Sequence, residues 1–311
     1  MRVLIPLLKG SAEDYNSRMN TRLDLSQHGL QSGQRARLHH LLFEHGLKNG
    51  TALFLPYDQG FEHGPRDFFE NPLSSDPRYI IKLAIEGGFN AIAIEIGLAE
   101  KFYWDYAGEV PLILKLNAKT DIPNADAPFS PVHASVEDAV RLGASAVGYT
   151  LYVGSSMQAT DFEQLKRVRQ DAIRFGMPLI VWSYPRGKDV KEKGGSTSFY
   201  AVDYAARIAS ELGADMVKVN FPDPTLVKGV KAPYELPYTS QQAIEAVVRS
   251  ANRSLLLVSG GEKVSEEAML EKARQSMDAG ATGLIFGRNI WQRNHTDSLR
   301  LVNQLREVLM R

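Results

Sequence analysis

Short apolar segments recur along most of the chain and alternate with longer amphipathic ones. Eight of the short segments have the length and composition of buried strands. They read TALFLPYDQG, FNAIAIEIG, VPLILKLN, ASAVGYTLYVG, MPLIVWSYPRG, ADMVKVNFP, SLLLVSGG and TGLIFGRN. Between them lie stretches with apolar residues at three- and four-residue spacing, which is typical of helices, among them 162–175, 198–212 and 266–279. The pattern predicts repeated strand–helix units.

Glycines mark the ends of several predicted helices. Gly143, Gly176, Gly213 and Gly280 each stand shortly before a predicted strand, where a helix commonly ends in a left-handed residue. Eight strands alternating with helices indicate parallel pairing, and eight strands close a (β/α)8 barrel. An open, doubly wound sheet is the alternative, but no G-x-G-x-x-G motif follows the first strand. We therefore predict an α/β fold, a (β/α)8 TIM barrel over residues 51–311.

The first 50 residues do not share this rhythm. They are polar and contain a basic, histidine-bearing stretch, QRARLHHLLFEHG, which predicts one or two helices ahead of the barrel. We expect residues 1–50 to form an N-terminal helical extension, a solvated cap or an oligomer contact. Lys+Arg and Asp+Glu both number 36, so the chain has no net field to attract nucleic acid, and we expect no nucleic-acid partner.

Composition narrows the possible compartments and chemistries. The 311-residue chain has no cysteine, which excludes disulfides, thiolate metal sites and cysteine nucleophiles and fits a reducing compartment. No apolar run approaches the roughly 20 residues that cross a bilayer, and the opening MRVLIPLLKG lacks the features of a signal peptide. We expect a cytoplasmic protein with no membrane partner.

Alternation along each strand separates residues that face the helices from residues that face the barrel interior. In VPLILKLN the leucines take the outward positions, so Lys115 points inward, and in ADMVKVNFP the valines do so, which leaves Lys218 inside. The same reasoning directs four further side chains inward: Asp58, Glu95, Trp182 and Tyr184. Most of these lie near the carboxyl ends of their strands, where barrel enzymes place their chemistry. We predict an active site there rather than a structural ion-pair network.

Lys218 is the predicted nucleophile. A desolvated amine beside other cations has a lowered pKa and can attack a carbonyl carbon. The protonated Schiff base is an electron sink, so carbon–carbon cleavage becomes feasible without a metal. Tyr184 is available as a proton shuttle and Asp58 as a carboxylate that manages charge and protons, and the sequence leaves open how the two residues divide the proton transfers. We expect Lys115, ahead of burial, to lower the pKa of Lys218.

Two groups of residues predict phosphate binding. The loops after strands seven and eight of a barrel often bind phosphate through backbone N–H groups, and here they carry Ser259, Gly260, Gly261, Gly287 and Arg288. Arg186 follows strand five on the same rim, which suggests a second phosphate.

The histidines give no sign of a metal centre. They form neither H-x-H nor H-E-x-x-H, so we predict no metal site. His63 is expected to hold its loop rather than to bind a ligand.

Several of these segments resemble the archaeal-type class I fructose-1,6-bisphosphate aldolases of the DeoC/FbaB (DhnA-type) family. The matching pieces are YDQGFEHGP, VPLILKLNAKT, LGASAVGYTLYVGS, VWSYPRG, ELGADMVKVN, VSGGEK and GATGLIFGRNIWQR. They run from about residue 51 to 295 and cover nearly all of the predicted barrel.

The resemblance implies a metal-independent lyase that reversibly cleaves fructose 1,6-bisphosphate to dihydroxyacetone phosphate and glyceraldehyde 3-phosphate. It implies a covalent Schiff base on Lys218 with no separate cofactor, Tyr184 as general acid/base, and Asp58 as the matching aspartate of the first strand. It implies a substrate-binding set of Lys115, Trp182, Arg186, Ser259, Gly260, Gly261, Gly287 and Arg288. It also implies a homo-oligomer.

Two departures from the family pattern stand out. Gln59 occupies the place of a usual histidine, and the segment PDPTLVKGVKAPYELPYTSQQ after strand six is longer than is common, which suggests a lid.

Two other functions stay open. One is a related Schiff-base synthase, or transaldolase-like enzyme, that acts on another sugar phosphate. The other is a non-catalytic sugar-phosphate-binding barrel, which would not require a buried lysine beside a tyrosine and an aspartate.

Overall fold

Eight parallel strands form a closed barrel in the computed structural model, which describes residues 23–123, 126–225, 227, 229–261 and 264–310. The strands are β1 Ala52–Tyr57, β2 Ala91–Glu95, β3 Leu112–Lys115, β4 Ala146–Val153, β5 Leu179–Pro185, β6 Met216–Asn220, β7 Leu255–Ser259 and β8 Gly283–Ile285. Each pairs with the next along the chain, and β8 pairs with β1. The predicted TIM barrel is confirmed, and the open sheet is excluded.

Helices follow the strands around the outside of the barrel. The α-helices are α1 Ser32–His39, α2 Gln59–Glu62, α3 Pro77–Glu86, α4 Ile96–Leu98, α5 Val136–Arg141, α6 Gln158–Arg174, α7 Lys188–Glu192, α8 Phe199–Glu211, α9 Ser240–Ser250, α10 Glu266–Asp278, α11 Arg288–Trp291 and α12 His295–Leu309. Short 3-10 turns cover Leu25–His28, Pro65–Phe68, Pro72–Ser75 and Trp104–Tyr106, and π-helical turns cover His40–Glu44 and Ala99–Tyr103. Within the described residues, no helix is both long and apolar enough to span a membrane.

Glycines end four of these helices as the sequence predicts. Gly143, Gly176, Gly213 and Gly280 all have positive φ and stand directly after the cap residues of α5, α6, α8 and α10. A left-handed residue at this position satisfies the last helical carbonyls and turns the chain toward the next strand. The predicted bounds of α6, α8 and α10 agree with the structure to within four residues.

Strand alternation divides the barrel into two apolar cores. The outward residues of the strands, such as Leu114 and Val217, pack with the helices. The inward residues of the amino-terminal half form the second core, in which Phe54, Ile113 and Ile180 are fully buried. The predicted inward and outward phases of β3 and β6 are confirmed, since Lys115 and Lys218 lie inside.

The described part of the N-terminal extension closes the amino-terminal end of the barrel. Leu38, Leu41 and Leu42 are fully buried and belong to the interior core. Gln34 Nε2 donates to Asp215 Oδ2 at 2.8 Å, just before β6. The extension is therefore more than a solvated cap, because its inner face completes the barrel core while its outer face is exposed. Residues 1–22 of the predicted extension lie outside the described residues.

The segment after β6 lies beside the barrel mouth. Its aromatic residues Tyr234 and Tyr238 pack edge-on against Phe199 of α8, with ring centroids 5.1 and 4.8 Å apart. Asp223 exchanges backbone hydrogen bonds with Thr197 and Phe199, which lie after β5. None of its described residues lines the central pocket. The described residues of the segment thus support the loop after β5, and the suggested lid stays a prediction.

Candidate active site

Lys218 stands at the centre of the barrel mouth, on the inward face of β6. Its residue is only 4% exposed, and its Nζ lies 5.1 Å from the ring centroid of Trp182 and 5.4 Å from that of Tyr184. The register pairs Trp182 with Lys218 across β5 and β6. Two aromatic faces and the barrel wall thus remove most of the water from around the amine.

The pKa of the Lys218 amine is lowered to about 8, and burial is the largest cause. Asp58 opposes the shift, whereas Lys115 and Arg288 add smaller contributions in the same direction as burial. The prediction that Lys115 is the main cause is therefore wrong. Desolvation penalises the charged form of any buried lysine, and here the surrounding charges of both signs partly cancel. At pH 7 about a tenth of the amine is therefore unprotonated, far more than for a lysine with its usual pKa of 10.5.

Lys115 lies beneath the pocket that contains Lys218, and its own hydrogen bonds hold it there. It is 1% exposed, and its Nζ donates to Thr150 Oγ1 at 2.7 Å and to the Asn117 carbonyl at 3.3 Å. The same nitrogen lies 3.7 Å from Asp58 Oδ2 and 4.9 Å from the Trp182 ring. The ammonium therefore has a carboxylate, a hydroxyl and an aromatic face around it, which offsets much of the cost of burying it.

Gly148 makes room for this pair of side chains. It lies on β4 opposite Lys115 in the strand register. A Cβ added there would lie 2.7 Å from Trp182 Cζ3 and 2.8 Å from Lys115 Cδ. The absence of a side chain at this position lets the lysine stem and the indole pack in the same layer.

Asp58 and Glu95 are buried carboxylates that lie apart from the open pocket. Asp58 follows β1, is 5% exposed, and pairs with Lys115. Glu95 stands opposite Lys115 in the register, and its Oε2 lies 2.9 Å from His133 Nε2 without the alignment of a hydrogen bond. Burial raises the pKa of Glu95, while His133 and Lys115 lower it. Both predicted inward positions are confirmed.

Tyr184 lines the wall of the pocket beside Lys218. Burial raises the pKa of its hydroxyl well above the usual value, and the negative charges of Glu62 and Asp58 raise it further. The Arg186 guanidinium lies 5.3 Å from the Tyr184 ring and acts in the opposite direction. The phenol is therefore a proton donor at neutral pH, next to the amine.

The pocket that contains Lys218 and Tyr184 has a volume of about 330 Å³. The structure places the predicted phosphate loops on one side of it, namely Ser259, Gly260, Gly261, Gly287 and Arg288. Arg186 lines the opposite side, after β5. Asp58, Lys115 and Trp182 lie beneath the pocket and support its floor. A cavity of this size with cations at both ends suits an extended molecule with two anionic ends.

The loops after β7 and β8 are shaped by glycine. Gly261 has a φ of +64°, in the left-handed region. A Cβ on Gly287 would lie 2.8 Å from the Pro56 carbonyl oxygen and 2.8 Å from Gln59 Nε2, so the β8 loop can approach β1 only because this residue is glycine. Gln59, at the family's usual histidine position, thus lines the pocket next to the phosphate loop.

Asp67 connects His63 to the predicted phosphate site. His63 Nδ1 lies 2.8 Å from Asp67 Oδ2, and Arg288 Nη1 lies 3.7 Å from the same oxygen. Gln292 Nε2 also donates to the Asp67 carbonyl at 2.8 Å. This contact supports the loop-holding part of the expectation for His63, while His63 also lines the pocket, so the expectation that it binds no ligand stays a prediction.

Sequence reasoning missed Glu62, Lys119 and Asp67. Glu62 and Lys119 line the pocket, and Asp67 holds Arg288 from behind. Glu62 stands four residues after Asp58, one helical turn farther on, and this spacing was the available signal. Lys119 has the same alternation phase as Lys115 in the segment LKLNAKT, but it lies four residues beyond the end of β3, where alternation no longer predicts the direction of a side chain.

Throughout the described ranges, no group of three or more histidine, aspartate or glutamate side chains is arranged to hold a metal ion.

Comparisons with known proteins agree with this geometry. The family model described as DeoC/LacD family aldolase matches residues 52–293. A class 1 fructose-bisphosphate aldolase from Thermoproteus tenax is 44% identical over 264 residues, which span 84% of this chain and 90% of that protein. A fructose-bisphosphate aldolase/6-deoxy-5-ketofructose 1-phosphate synthase from Methanocaldococcus jannaschii is 31% identical over 268 residues, with 83% and 81% covered.

A solved structure resembles the barrel closely. It is an archaeal fructose-1,6-bisphosphate aldolase with its catalytic lysine covalently bound to the carbinolamine intermediate of the substrate. The two chains are 42% identical, the match covers 87% of this chain and 98% of that one, and the TM-score is 0.75.

Proposed function

The chain belongs to the DeoC/LacD family of aldolases, and from this premise we propose that it is a class I fructose-bisphosphate aldolase. It reversibly cleaves fructose 1,6-bisphosphate to dihydroxyacetone phosphate and glyceraldehyde 3-phosphate. The observation that carries the proposal is the Lys218 amine, buried between Trp182 and Tyr184 in a pocket with cations at both ends and with a pKa lowered to about 8.

The first stage is formation of the Schiff base. Unprotonated Lys218 attacks the C2 carbonyl of the ketose and gives a carbinolamine. Tyr184, whose raised pKa keeps it protonated, donates its proton to the departing hydroxyl, so water leaves and a protonated Schiff base remains. The tyrosinate formed in this step is then the nearest available base.

The second stage is cleavage between C3 and C4. Tyr184 accepts the proton of the C4 hydroxyl, the C3–C4 electron pair moves into the Schiff base, and the aldehyde product leaves. Tyr184 then gives this proton to C3 of the enamine and becomes a tyrosinate again. Water adds to the protonated Schiff base, one of its protons returns to Tyr184, and dihydroxyacetone phosphate leaves, so that the free amine and the protonated phenol are both restored. Every proton is accounted for within the site, so no separate cofactor is required.

The remaining predicted residues support these stages. The phosphate next to the ketose carbon binds the loops of Ser259, Gly260, Gly261, Gly287 and Arg288, and the other phosphate lies toward Arg186. Asp58, Lys115 and Trp182 lie below the pocket, where they fix the electrostatic surroundings of Lys218. This assigns the proton transfers to Tyr184 and a charge-balancing role to Asp58.

A coupled assay with fructose 1,6-bisphosphate tests the proposal. We expect cleavage in the presence of EDTA at the same rate as in its absence, because the Schiff base replaces a metal as the electron sink. No cleavage, or cleavage that EDTA abolishes, would overturn the assignment.

A second candidate function is favoured by one observation. The M. jannaschii relative is named for both an aldolase and a synthase reaction, and a Schiff-base enamine can add to other acceptors. If this chain traps dihydroxyacetone phosphate on Lys218 but fails to cleave fructose 1,6-bisphosphate, the synthase function is the correct one.

A cytoplasmic location and a homo-oligomeric state belong to the same proposal. Both rest on the family resemblance and the composition of the chain. Light scattering on the purified protein measures the mass directly. A mass of two or more times the chain mass of 34.5 kDa supports the oligomer, and a mass equal to that of one chain contradicts the oligomer.

A further inference from the structure

Glu62 is a carboxylate in the pocket to which the steps above assign no part. It ends α2, lines the pocket, and is half-buried. Its Oε1 accepts a hydrogen bond from Tyr152 Oη at 3.0 Å. Tyr152 is 1% exposed, and burial raises the pKa of its phenol, so it remains a donor at neutral pH. The carboxylate is thus held in place by a rigid residue of β4.

The Glu62 side chain extends from the helix after β1 to a residue of β4, on the other side of the mouth. Its partner Tyr152 stands opposite Tyr184 in the register of β4 and β5. Lys119 Nζ lies 6.0 Å from the Tyr152 ring, and Arg186 follows β5 on the same side. In an eight-stranded barrel, β4 is diametrically opposite β8. The carboxylate oxygen bonded to Tyr152 therefore lies on the β4 side of the mouth, the side that also carries Lys119 and Arg186.

The other carboxylates near Lys218 are already engaged. Asp58 pairs with Lys115 below the pocket, and Asp121 pairs with Arg66 on the rim at 2.9 Å. Within the described residues, Glu62 accepts its side-chain hydrogen bond through Oε1, from Tyr152. A sugar bisphosphate anchored at C2 and at both phosphates has its remaining hydroxyl groups in this part of the pocket. A charged acceptor is a strong partner for such hydroxyls.

We propose that Glu62, held by Tyr152, binds the hydroxyl next to the aldehyde carbon in the half of the substrate released as glyceraldehyde 3-phosphate. Glu62 thereby determines which aldehydes the enzyme accepts. The inference rests on the proposed function and adds a specificity-determining residue to it. A site built to bind a hydroxyl discriminates against an analogue that lacks it, since the carboxylate in the occupied pocket is then left without that partner.

The test runs the reaction in the direction of condensation with two aldehydes. Dihydroxyacetone phosphate is combined either with glyceraldehyde 3-phosphate or with 3-oxopropyl phosphate, which lacks the hydroxyl. We expect Glu62→Gln to lower kcat/KM for glyceraldehyde 3-phosphate by about 10- to 100-fold, the range for a lost charge-assisted hydrogen bond. The same variant should lower kcat/KM for 3-oxopropyl phosphate by less than about threefold. The Glu62→Gln variant should therefore lose most of the preference for the hydroxylated aldehyde that the wild type shows.

Two variants control the experiment. Tyr152→Phe removes only the group that holds Glu62, and we expect a smaller loss of preference in the same direction. Glu192→Gln neutralises an exposed carboxylate on α7, and we expect no change in either rate. Borohydride trapping of dihydroxyacetone phosphate should proceed normally in Glu62→Gln, which shows that the variant is folded and that Lys218 is intact.

Two results would overturn the inference. One is an unchanged preference in Glu62→Gln. The other is an equal loss on both aldehydes together with impaired trapping, which would make Glu62 a partner of Lys218 or Tyr184 instead. Failure of the wild type to trap dihydroxyacetone phosphate at all is a separate result, because it overturns the proposed function and removes this inference with it.

Discussion

The two ends of the barrel interior are built from the same eight strands but have opposite chemistry. At the amino-terminal end the inward residues are apolar, among them Phe54 and Ile113, and Leu41 of the extension packs among them. At the carboxyl end, two positions farther along β3 and β6, the inward residues are Lys115 and Lys218. Two residues that stand two positions apart on a strand face the same side of the sheet, so they differ only in their depth within the barrel interior.

This difference between the two ends of the barrel interior shows how the fold accommodates buried charge. Two lysines and two carboxylates out of water are costly even when paired. The apolar end and its helical closure contribute stability by hydrophobic burial, so substitutions at the two ends should have separable effects. At the mouth they should change catalysis, and at the closed end they should change the free energy of unfolding.

The largest effect is expected from Lys218→Met. Removal of a covalent nucleophile should reduce the rate of cleavage by about four orders of magnitude or more, whereas the free energy of unfolding should stay the same or rise, because a desolvated amine is replaced by an apolar side chain. Steady-state kinetics and urea denaturation measure the two quantities. A variant that keeps cleavage within tenfold of the wild type, or that unfolds much more easily, would contradict the separation of roles.

Leu41→Ala is the corresponding substitution at the closed end. Leu41 is fully buried in the interior core, so its truncation should lower the free energy of unfolding by about 2–5 kcal/mol. At temperatures well below the melting point, kcat should be unchanged. Arg35→Ala, on the exposed face of α1, is the matched control and should change stability by less than about 0.5 kcal/mol. Equal effects of the two substitutions would mean that the extension does not close the barrel.

Asp215 gives the closed end a pH dependence. Its Oδ2 accepts from Gln34 Nε2 and from the Leu179 N–H, both at 2.8 Å, yet burial raises the pKa of this carboxyl to about 6. A folded-state pKa above the unfolded value means that the folded protein binds more protons. The stabilising contribution is therefore present below about pH 4 and is lost as pH rises through about 6.

The measurement for Asp215 is the free energy of unfolding from pH 4 to 7. Over this range Asp215 should remove on the order of 2 kcal/mol of stability from the wild type. In Asp215→Asn, which keeps an acceptor oxygen, that part of the slope should disappear. An identical slope in both proteins would show that Asp215 titrates in its ordinary range.

The smallest effect is expected from Lys115→Met, a substitution at the barrel mouth that should change the pKa of Lys218. Loss of this cation removes one cause of the lowered pKa of Lys218 and frees Asp58 to raise it. Because burial remains, the pKa should rise from about 8 by less than about one unit. The pH dependence of borohydride trapping measures it. A rise to the usual 10.5 would make Lys115, and not burial, the main cause.

The sequence predicts the barrel and the inward lysines well, for a simple physical reason. A charge in the middle of an apolar strand cannot face the apolar layer of helices, so Lys115 and Lys218 identify the interior face of β3 and β6. The glycines that end the helices are equally local, since a left-handed residue is needed at that single position. Such features depend only on neighbours along the chain.

Other features depend on contacts between distant parts of the chain and are not visible in the pattern. The amphipathic stretch that contains Leu41 shows an apolar face but not the barrel end that this face covers. The cause of the lowered pKa of Lys218 requires the depth of burial and the competing charge of Asp58. Glu62 ends the short helix α2 and has no strand phase, so its spacing from Asp58 is the one hint along the chain that it lines the pocket.

The most direct test of the central claim is to trap the covalent intermediate. The wild-type protein is incubated with dihydroxyacetone phosphate, reduced with borohydride, digested, and analysed by mass spectrometry. The account predicts one stoichiometric adduct, located on Lys218, with Lys115 unmodified and with no effect of EDTA. An adduct on another lysine, or no adduct under conditions in which the protein cleaves fructose 1,6-bisphosphate, would contradict it.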